Sequence, residues 1–522
     1  MHSRPNAMST KAVVTSSSTQ ASIVGTQILK SGGNVVDAAI ATSAVLAVTQ
    51  NNLCGLGGDM FALVRFQGRG IKDYNASGRA GKLATPEFFL ASGYNSIPVR
   101  GELSALTVPG LVSGWSSIHK DYGTMEIREL LEPAIGLARD GFPVTHNYSE
   151  SIRVSAKYLS EYNWSDIFTP GGRIPQPGEI FRQRDLASTL EILATEGLET
   201  YYSGYLADRI MKGLKNHNSL ITSEDLENHR VTVGRPLSTE YLGTRVYETS
   251  PNSQGAAAII WLNLLEEIRR QNGAVTPEEL INAGLIAYEE RAKWITDPET
   301  LSIPDRLLKQ EYAAELLSAK HAVETGRPGR DGGDTTYFTI ADSQGNAVSM
   351  IQSNYMGFGS GIIPDGSGFV MQNRGCYFSL NPEHHNVLKP GKRTFHTLCA
   401  AMIERDGDLI HSLGTMGGDI QPQVHVQLMQ MLVQEGFDPQ RTLDAPRWAI
   451  PYSIYEKPGQ IIYESSLEQE YTGRLAKLLP IKRIEGYSSQ FGHAQIVSLL
   501  GNGVVMGGAD PRGDGIALPV IS

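Results

Sequence analysis

Apolar residues first recur with helical spacing in "QASIVGTQILKSGGN" (20–34), where Ile23, Val24, Ile28 and Leu29 fall on one face and Gly32 with Gly33 supply a C-terminal stop. The next run, "VVDAAIATSAVLAV" (35–48), is apolar on every side, too short to span a bilayer and interrupted by Asp37, which predicts a helix inside a core. "NNLCGLGGDMFALVRF" (51–66) then sets glycines before a strand-like run. Backbone there should approach something closely, and packing against another strand is the simpler reading than a ligand. From about 120 to 330 the pattern is mostly helical, with amphipathic stretches at 185–215 and 276–295 that read as cover layers. "HAVETGRPGRDGGD" (321–334) has no periodicity and reads as an exposed, mobile connection. Beyond it the texture turns to strands: "TTYFTIAD" and "NAVSMIQS" joined by "SQG", and a second hairpin in "GHAQIVSLLGNGVVMGGAD" (492–510). Helices first and strands after predict an α+β arrangement with helices outside and sheets within.

Composition narrows the function classes. At 522 residues, 41% hydrophobic and 19% charged, the chain is long enough for a large core and has the make-up of an ordinary globular protein. A net charge of -10 argues against nucleic acid or an anionic membrane as partner. Cys54, Cys376 and Cys399 include no CxxC pair and read as reduced, packed thiols, which points to a reducing, cytoplasmic setting. The leader "MHSRPNAMSTKAVVTSSST" has no apolar core for secretion.

Several familiar sites are absent by spacing: HExxH, GxxxxGK[ST] and GxSxG do not occur. The adjacent His384 and His385 lie in the proline-flanked loop "NPEHHNVLKPGK" and read as solvated rather than metal-bound. "GFGSG" (357–361) lacks the basic residue and helix of a phosphate cradle. No metal and no cofactor are expected. What remains is "DGGDTTYFTI" (331–340), a loosened acidic loop entering a strand that opens with two threonines. A threonine hydroxyl needs a neighbouring base, and cutting Asp334-Thr335 would free the threonine's own α-amine for that role. Alone, "DTT" at a strand start signifies little. Its company changes the reading. Gly417 and Gly418 in "SLGTMGGDIQPQ" (412–423) can turn backbone N–H groups on a reacting carbonyl, and Ser353 falls on the second strand of the hairpin begun by Thr335.

These motifs, with "ILKSGGNVVDAAIATSAVLAVTQ" (28–50), "GLGGDMF" (55–61), "TVPGLVSGW" (107–115), "YGTMEIRELLEPAIGLARDGFPV" (122–144), "GTMGGDIQPQ" (414–423), "DAPRW" (444–448) and "GGADPRGDG" (507–515), resemble the γ-glutamyltransferase family of N-terminal-nucleophile hydrolases along nearly the whole chain. The resemblance implies a four-layer αββα sandwich and a precursor that cleaves itself into a large region, 1–334, and a small one, 335–522, that stay associated in one unit. A homodimer is a candidate assembly. It also implies Thr335 as nucleophile, Thr336 as the family's following threonine, Gly417 and Gly418 as the oxyanion pair, and Ser353 in the place of an orienting threonine.

The donor pocket departs from the family. Asn75 stands where an arginine holds the donor's α-carboxylate, with Arg79 the nearest arginine. Tyr377 stands where an acidic residue holds its α-amine, and His396 and Thr397 replace an adjacent serine pair. Asparagine cannot form a charged fork. The segment between Phe378 and Lys392 is short against the family's lid. The leading expectation is a γ-glutamyltransferase-related amidohydrolase that passes a small acyl group to water or an amine. The alternatives are an oxamate-like hydrolase, to which "SGRAG", "QSNYMGFGSG" and "QNRG" are similar, and an unprocessed binding relative. Arg374, with Arg79 second, is the expected new anchor for a substrate carboxylate.

Overall fold

The computed structural model describes residues 3–319 and 334–521. Apart from Asp334, the connection read at 321–334 therefore lies outside the described residues. Among the described residues two seven-stranded antiparallel sheets form the centre. One is ordered Ile516–Pro519, Ala12–Ser16, Asp334–Asp342, Ala347–Tyr355, Asp59–Phe66, Gly70–Asn75, Thr232–Gly234. The other is ordered Ala7–Ser9, Val505–Ala509, Ala494–Leu499, Asp408–Thr415, Ala401–Arg405, Thr244–Glu248, Leu237–Tyr241. Side chains alternate along a strand, and the strand Asp334–Asp342 uses both faces. Phe338 and Ile340 enter the core beneath the helices with Val14 and Val348. Tyr337 and Ala341 face the other way, into the layer where Phe61, Leu63 and Val13 meet Leu398, Val497 and Val505.

Helices Thr19–Lys30, Val35–Thr49, Leu111–Tyr122 and Ile127–Asp140 cover the first sheet, and Gly255–Asn272, Pro277–Trp294 and Gln421–Met429 cover the second. The result is a four-layer αββα sandwich. The expected buried helix is found at Val35–Thr49, with every residue buried. Its Asp37 completes a capping box: Asn34 Oδ1 accepts the Val36 and Asp37 N–H groups at 2.7 and 3.1 Å, while Asp37 Oδ2 accepts that of Asn34 at 2.9 Å, worth about 1 kcal/mol. Within Thr19–Lys30 the contact stripe runs through Ala21, Val24, Gly25 and Ile28, where a Cβ on Gly25 would meet Thr42 Oγ1 at 2.5 Å. Ile23 lies off that stripe and is 41% exposed, against the expectation that it shares the buried face.

Three further readings need correction. The amphipathic stretch 185–215 is three pieces, Arg184–Glu196, Leu198–Tyr201 and Tyr205–Asn216, broken by Gly197 and Gly204 at φ 98° and 95°. The region read as helical also holds the strands Thr232–Gly234, Leu237–Tyr241 and Thr244–Glu248. His384 and His385 are only partly solvated: their rings stack 4.4 Å apart, half-buried, with His384 against Tyr455. Among the described residues no helix is long and apolar enough to cross a membrane.

The glycines before Asp59–Phe66 serve backbone contact. A Cβ on Gly57 would sit 2.2 Å from Val370 O, and one on Gly58 would sit 2.4 Å from Ser353 O. Gly58→Ala should therefore cost about 2 kcal/mol or more through overpacking against backbone. Gly136→Ala, inside Ile127–Asp140 with open space around it, should gain about 0.5–1 kcal/mol. Urea midpoints of the two variants would read the contrast; equal shifts would show that close approach at Gly58 is not what the glycine serves.

Candidate active site

Asp334 opens its strand opposite Tyr355, and the register shifts before Thr336 pairs with Gln352, so Thr335 sits at an irregularity in the ladder. Such a bulge re-aims one side chain out of regular pairing. The buried Thr335 Oγ1 donates to Ser353 Oγ at 3.2 Å. Ser353 in turn donates to the carbonyl oxygen of Asp334 at 2.7 Å and accepts the Tyr355 N–H at 2.7 Å. One serine hydroxyl thus touches both the threonine hydroxyl and the carbonyl one bond before it. Thr336 is fully buried, and its hydroxyl has no hydrogen-bond partner.

The glycine pair lies at the end of Asp408–Thr415. Gly417 and Gly418 have φ of 131° and 58°, in the region that disfavours side chains, and a Cβ on Gly417 would press on Ile420 at 3.0 Å. Their carbonyls are all engaged. Gly417 O accepts the Ile420 N–H, and Gly418 O accepts Gln254 Nε2 at 2.8 Å. Asp419 O accepts Tyr288 OH at 2.5 Å. Arg291, wholly buried, donates from Nη1 to Asp419 Oδ1 at 2.9 Å and to Gln254 Oε1 at 2.7 Å. The other Asp419 carboxylate oxygen accepts Tyr377 OH. Burial raises the Asp419 carboxyl above its ordinary value, opposed first by the Arg291 charge.

Asp334, Gly417 and Asp419 line a cleft of about 350 Å³ with Arg100, Tyr158 and Gly357. A neighbouring cleft of about 680 Å³ shares Tyr158, Asp334, Met416 and Ser489 with it. Arg100 donates to the carbonyls of Gly357, at 2.7 Å, and Gly359, and stacks 4.9 Å over Tyr158. The glycine segment 357–361, dismissed as a phosphate cradle, thus forms part of the wall.

The remaining sequence candidates separate into engaged and unengaged groups. Asn75 donates to Asn252 Oδ1 at 2.8 Å and accepts from Ser77. Arg79 is paired with Glu299 at 2.6 Å and Asp297 at 3.4 Å. His396 is buried; its Nδ1 accepts the Leu398 N–H at 3.3 Å, which leaves Nε2 to donate to Asp59 Oδ2 at 3.2 Å. Burial, then Arg374 and Arg393, hold this imidazole well below its ordinary pKa. Arg374 differs. It is 1% exposed and stacked 4.1 Å over Tyr355, and one nitrogen donates to Thr397 Oγ1 at 3.0 Å, yet its Nε and Nη2 have no hydrogen-bond partner. Sequence reasoning missed Arg100, Gln254, Arg291 and Asp419. Only Asp419 carried a signal, being next to the glycine pair.

An αββα sandwich with a buried threonine at the head of a central strand, beside a glycine-made loop, defines the class of N-terminal-nucleophile hydrolases. The chain belongs to the gamma-glutamyltranspeptidase family, whose profile matches residues 21–520. It is 37% identical over 98% of its length to the glutathione hydrolase-like YwrD proenzyme of Bacillus subtilis, covering 99% of that protein. It is 34% identical to the oxamate amidohydrolase proenzyme of Klebsiella pneumoniae, over 94% of this chain and 95% of the other. Among solved structures it is similar to cephalosporin acylase from Bacillus halodurans, with a TM-score of 0.91, 36% identity, and coverage of 99% and 97%.

Burial raises Asp59 to about 7 from 3.8, against hydrogen bonds from Gln372 and Gly78 and the charge of Arg374. A carboxyl raised on folding stabilises the native state fully below the unfolded value and loses that contribution as pH climbs through the folded one. Stability should therefore fall between pH about 4 and about 7, by an amount on the order of 2–4 kcal/mol from this group. Asp59→Asn should flatten the pH dependence of thermal unfolding in that window; an unchanged profile would assign the slope to other groups.

Proposed function

We propose that the chain is a self-processing threonine amidohydrolase. The Thr335 hydroxyl attacks the Asp334 carbonyl, the C–N bond breaks as the acyl group moves from nitrogen to oxygen, and water releases the Asp334 carboxylate. Thr335 is then the new N-terminus. In turnover its oxygen attacks a substrate amide, its α-amine takes the hydroxyl proton and returns one to the leaving amine, and Ser353 orients the hydroxyl. The N–H groups of Gly417 and Gly418 hold the oxyanion. Water, or an amine acceptor, releases the acyl group. The observation that carries this reading is the Ser353 hydroxyl bound at once to Thr335 Oγ1 and to the Asp334 carbonyl. Regions 1–334 and 335–522 become two fragments of one body, in accord with relatives named as proenzymes. The three free cysteines accord with a cytoplasmic setting.

For the substrate, we favour a small amide whose acyl group bears a carboxylate close to the carbonyl, in line with the relative named for oxamate. Arg374 is the anchor, because a buried guanidinium with two unpartnered nitrogens calls for an anion. A γ-glutamyl donor is the second reading. Asp419 favours it: an acidic group lines the cleft where the Tyr377 hydroxyl ends, in the vicinity of the family's lost acidic anchor.

Thr335→Ala should stay one band on a denaturing gel and be inactive, while wild type gives two bands and a small fragment whose N-terminal sequence begins at Thr335. A different first residue would move the nucleophile, and a single wild-type band would favour the unprocessed binding relative.

Arg374→Ala should cleave itself normally yet lose about tenfold to a hundredfold in kcat/KM on oxamate-like amides, the worth of a bidentate contact of roughly 1.5–3 kcal/mol. A wild type that prefers γ-glutamyl amides over their des-amino analogues would decide for the second reading.

A further inference from the structure

Away from the cleft, one polar cluster is left unexplained by the chemistry above. Glu248 ends the strand Thr244–Glu248, Cys399 stands two residues before the strand Ala401–Arg405, and Gln421 with His425 are one turn apart on the helix Gln421–Met429. All four side chains are wholly buried. Glu248 Oε1 is 2.7 Å from His425 Nδ1, Cys399 Sγ is 3.9 Å from the same nitrogen, and Gln421 Oε1 is 3.5 Å from Cys399 Sγ. The sulfur, nitrogen and carboxylate oxygen lie within 4.8 Å of one another. Yet Glu248 Oε2, His425 Nε2 and Gln421 Nε2 have no hydrogen-bond partner. Gly255 makes room for the carboxylate, since a Cβ there would stand 3.1 Å from Glu248 Oε2.

A carboxylate with a single hydrogen bond in a wholly buried site is costly unless a cation balances it. We propose that Glu248, Cys399, Gln421 and His425 form a structural site for a divalent metal, with zinc the ion its donors suit. Thiolate and imidazole together select a borderline-soft ion, and a closed set of four protein donors marks a structural rather than a catalytic site. Tetrahedral bonds of about 2.0–2.3 Å set neighbouring donors roughly 3.3–3.7 Å apart, so the Glu248–His425 pair must open by about 0.7 Å from 2.7 Å and the Cys399–His425 pair close by about 0.3 Å from 3.9 Å. Binding releases the Cys399 thiol proton and moves the imidazole proton from Nδ1 to Nε2. One thiolate and one carboxylate then neutralise the ion. The site ties the second sheet to the first turn of the helix that follows Gly417 and Gly418, and it joins a residue before position 335 to three after it.

The full chain, purified without added metal and passed through a desalting column, should carry about one equivalent of zinc by mass spectrometry, as expected for metal bound during folding. Cys399→Ser and His425→Gln should each lose it, and Cys54→Ser should keep it. Protein made in cobalt-supplemented medium should show a thiolate-to-cobalt absorption band in the near ultraviolet that Cys399→Ser lacks. If those variants do not fold, refolding of wild type still decides: zinc should raise the yield of native protein several-fold over a chelator. Wild type free of metal, without a cobalt band and refolding equally in chelator, would show a plain buried Glu–His pair and overturn the site. Metal retained equally by His425→Gln and Cys399→Ser would overturn it too.

Discussion

The pairing of the strand Asp334–Asp342 between Ala12–Ser16 on one side and Ala347–Tyr355 on the other is the constraint on which the site depends. A central strand has both rows of backbone groups satisfied, so it has no freedom to slide without moving every side chain to the opposite face. Thr335 stands at its first irregular position, where the ladder no longer dictates direction. Rigidity three residues on and licence at residue 335 let one serine from the adjacent strand fix the hydroxyl. Gly58 packs on the carbonyl of that same serine, so the entry to the strand Asp59–Phe66 buttresses Ala347–Tyr355.

The glycine loop is held by a different principle. Its backbone takes positive φ values that glycine adopts at little cost, and glycine alone would leave it loose. Arg291 and Gln254, both from the large helical region, fasten it from behind through charge-assisted and amide hydrogen bonds in a dry interior, where such bonds are strong and unmet ones expensive. Arg374 shows the other side of that rule. Its guanidinium is buried beside aromatic rings with part of its donor fork unmet, which is a desolvation cost that the fold carries.

Much of this was legible in the order of residues. The helix Val35–Thr49, the two hairpins and the threonine at a strand start follow from local periodicity and turn chemistry. What escaped has common physical causes. Ile23 was misread because apolar spacing says that a face exists, not which stripe of it meets a neighbour. The strands Thr232–Gly234 to Thr244–Glu248 are short and, as TVG, LSTEY and TRVYE, lack a clean polar–apolar alternation, and they sit among strong helices. Arg100, Gln254 and Arg291 come from segments 44 to 235 positions away from Thr335, and no local pattern marks an arginine that will be buried. Asn75, Tyr377, His396 and Thr397 could be singled out in the chain, but only the fold brings Asn75 to Asn252, His396 to Asp59 and Tyr377 to Asp419.

Each of the two sheets interleaves strands from before and after residue 334: Ala12–Ser16 lies against Asp334–Asp342, and Thr244–Glu248 against Ala401–Arg405. A cut before Thr335 therefore converts unfolding from a unimolecular event into a dissociation. The apparent melting temperature of the cut protein would rise with its concentration, as mass action requires, whereas that of the uncut chain would not. Recovery after heating would likewise depend on two polypeptides finding each other, a second-order search in place of a tethered one. Dilution, harmless to the uncut chain, would act as a denaturant on a cut one.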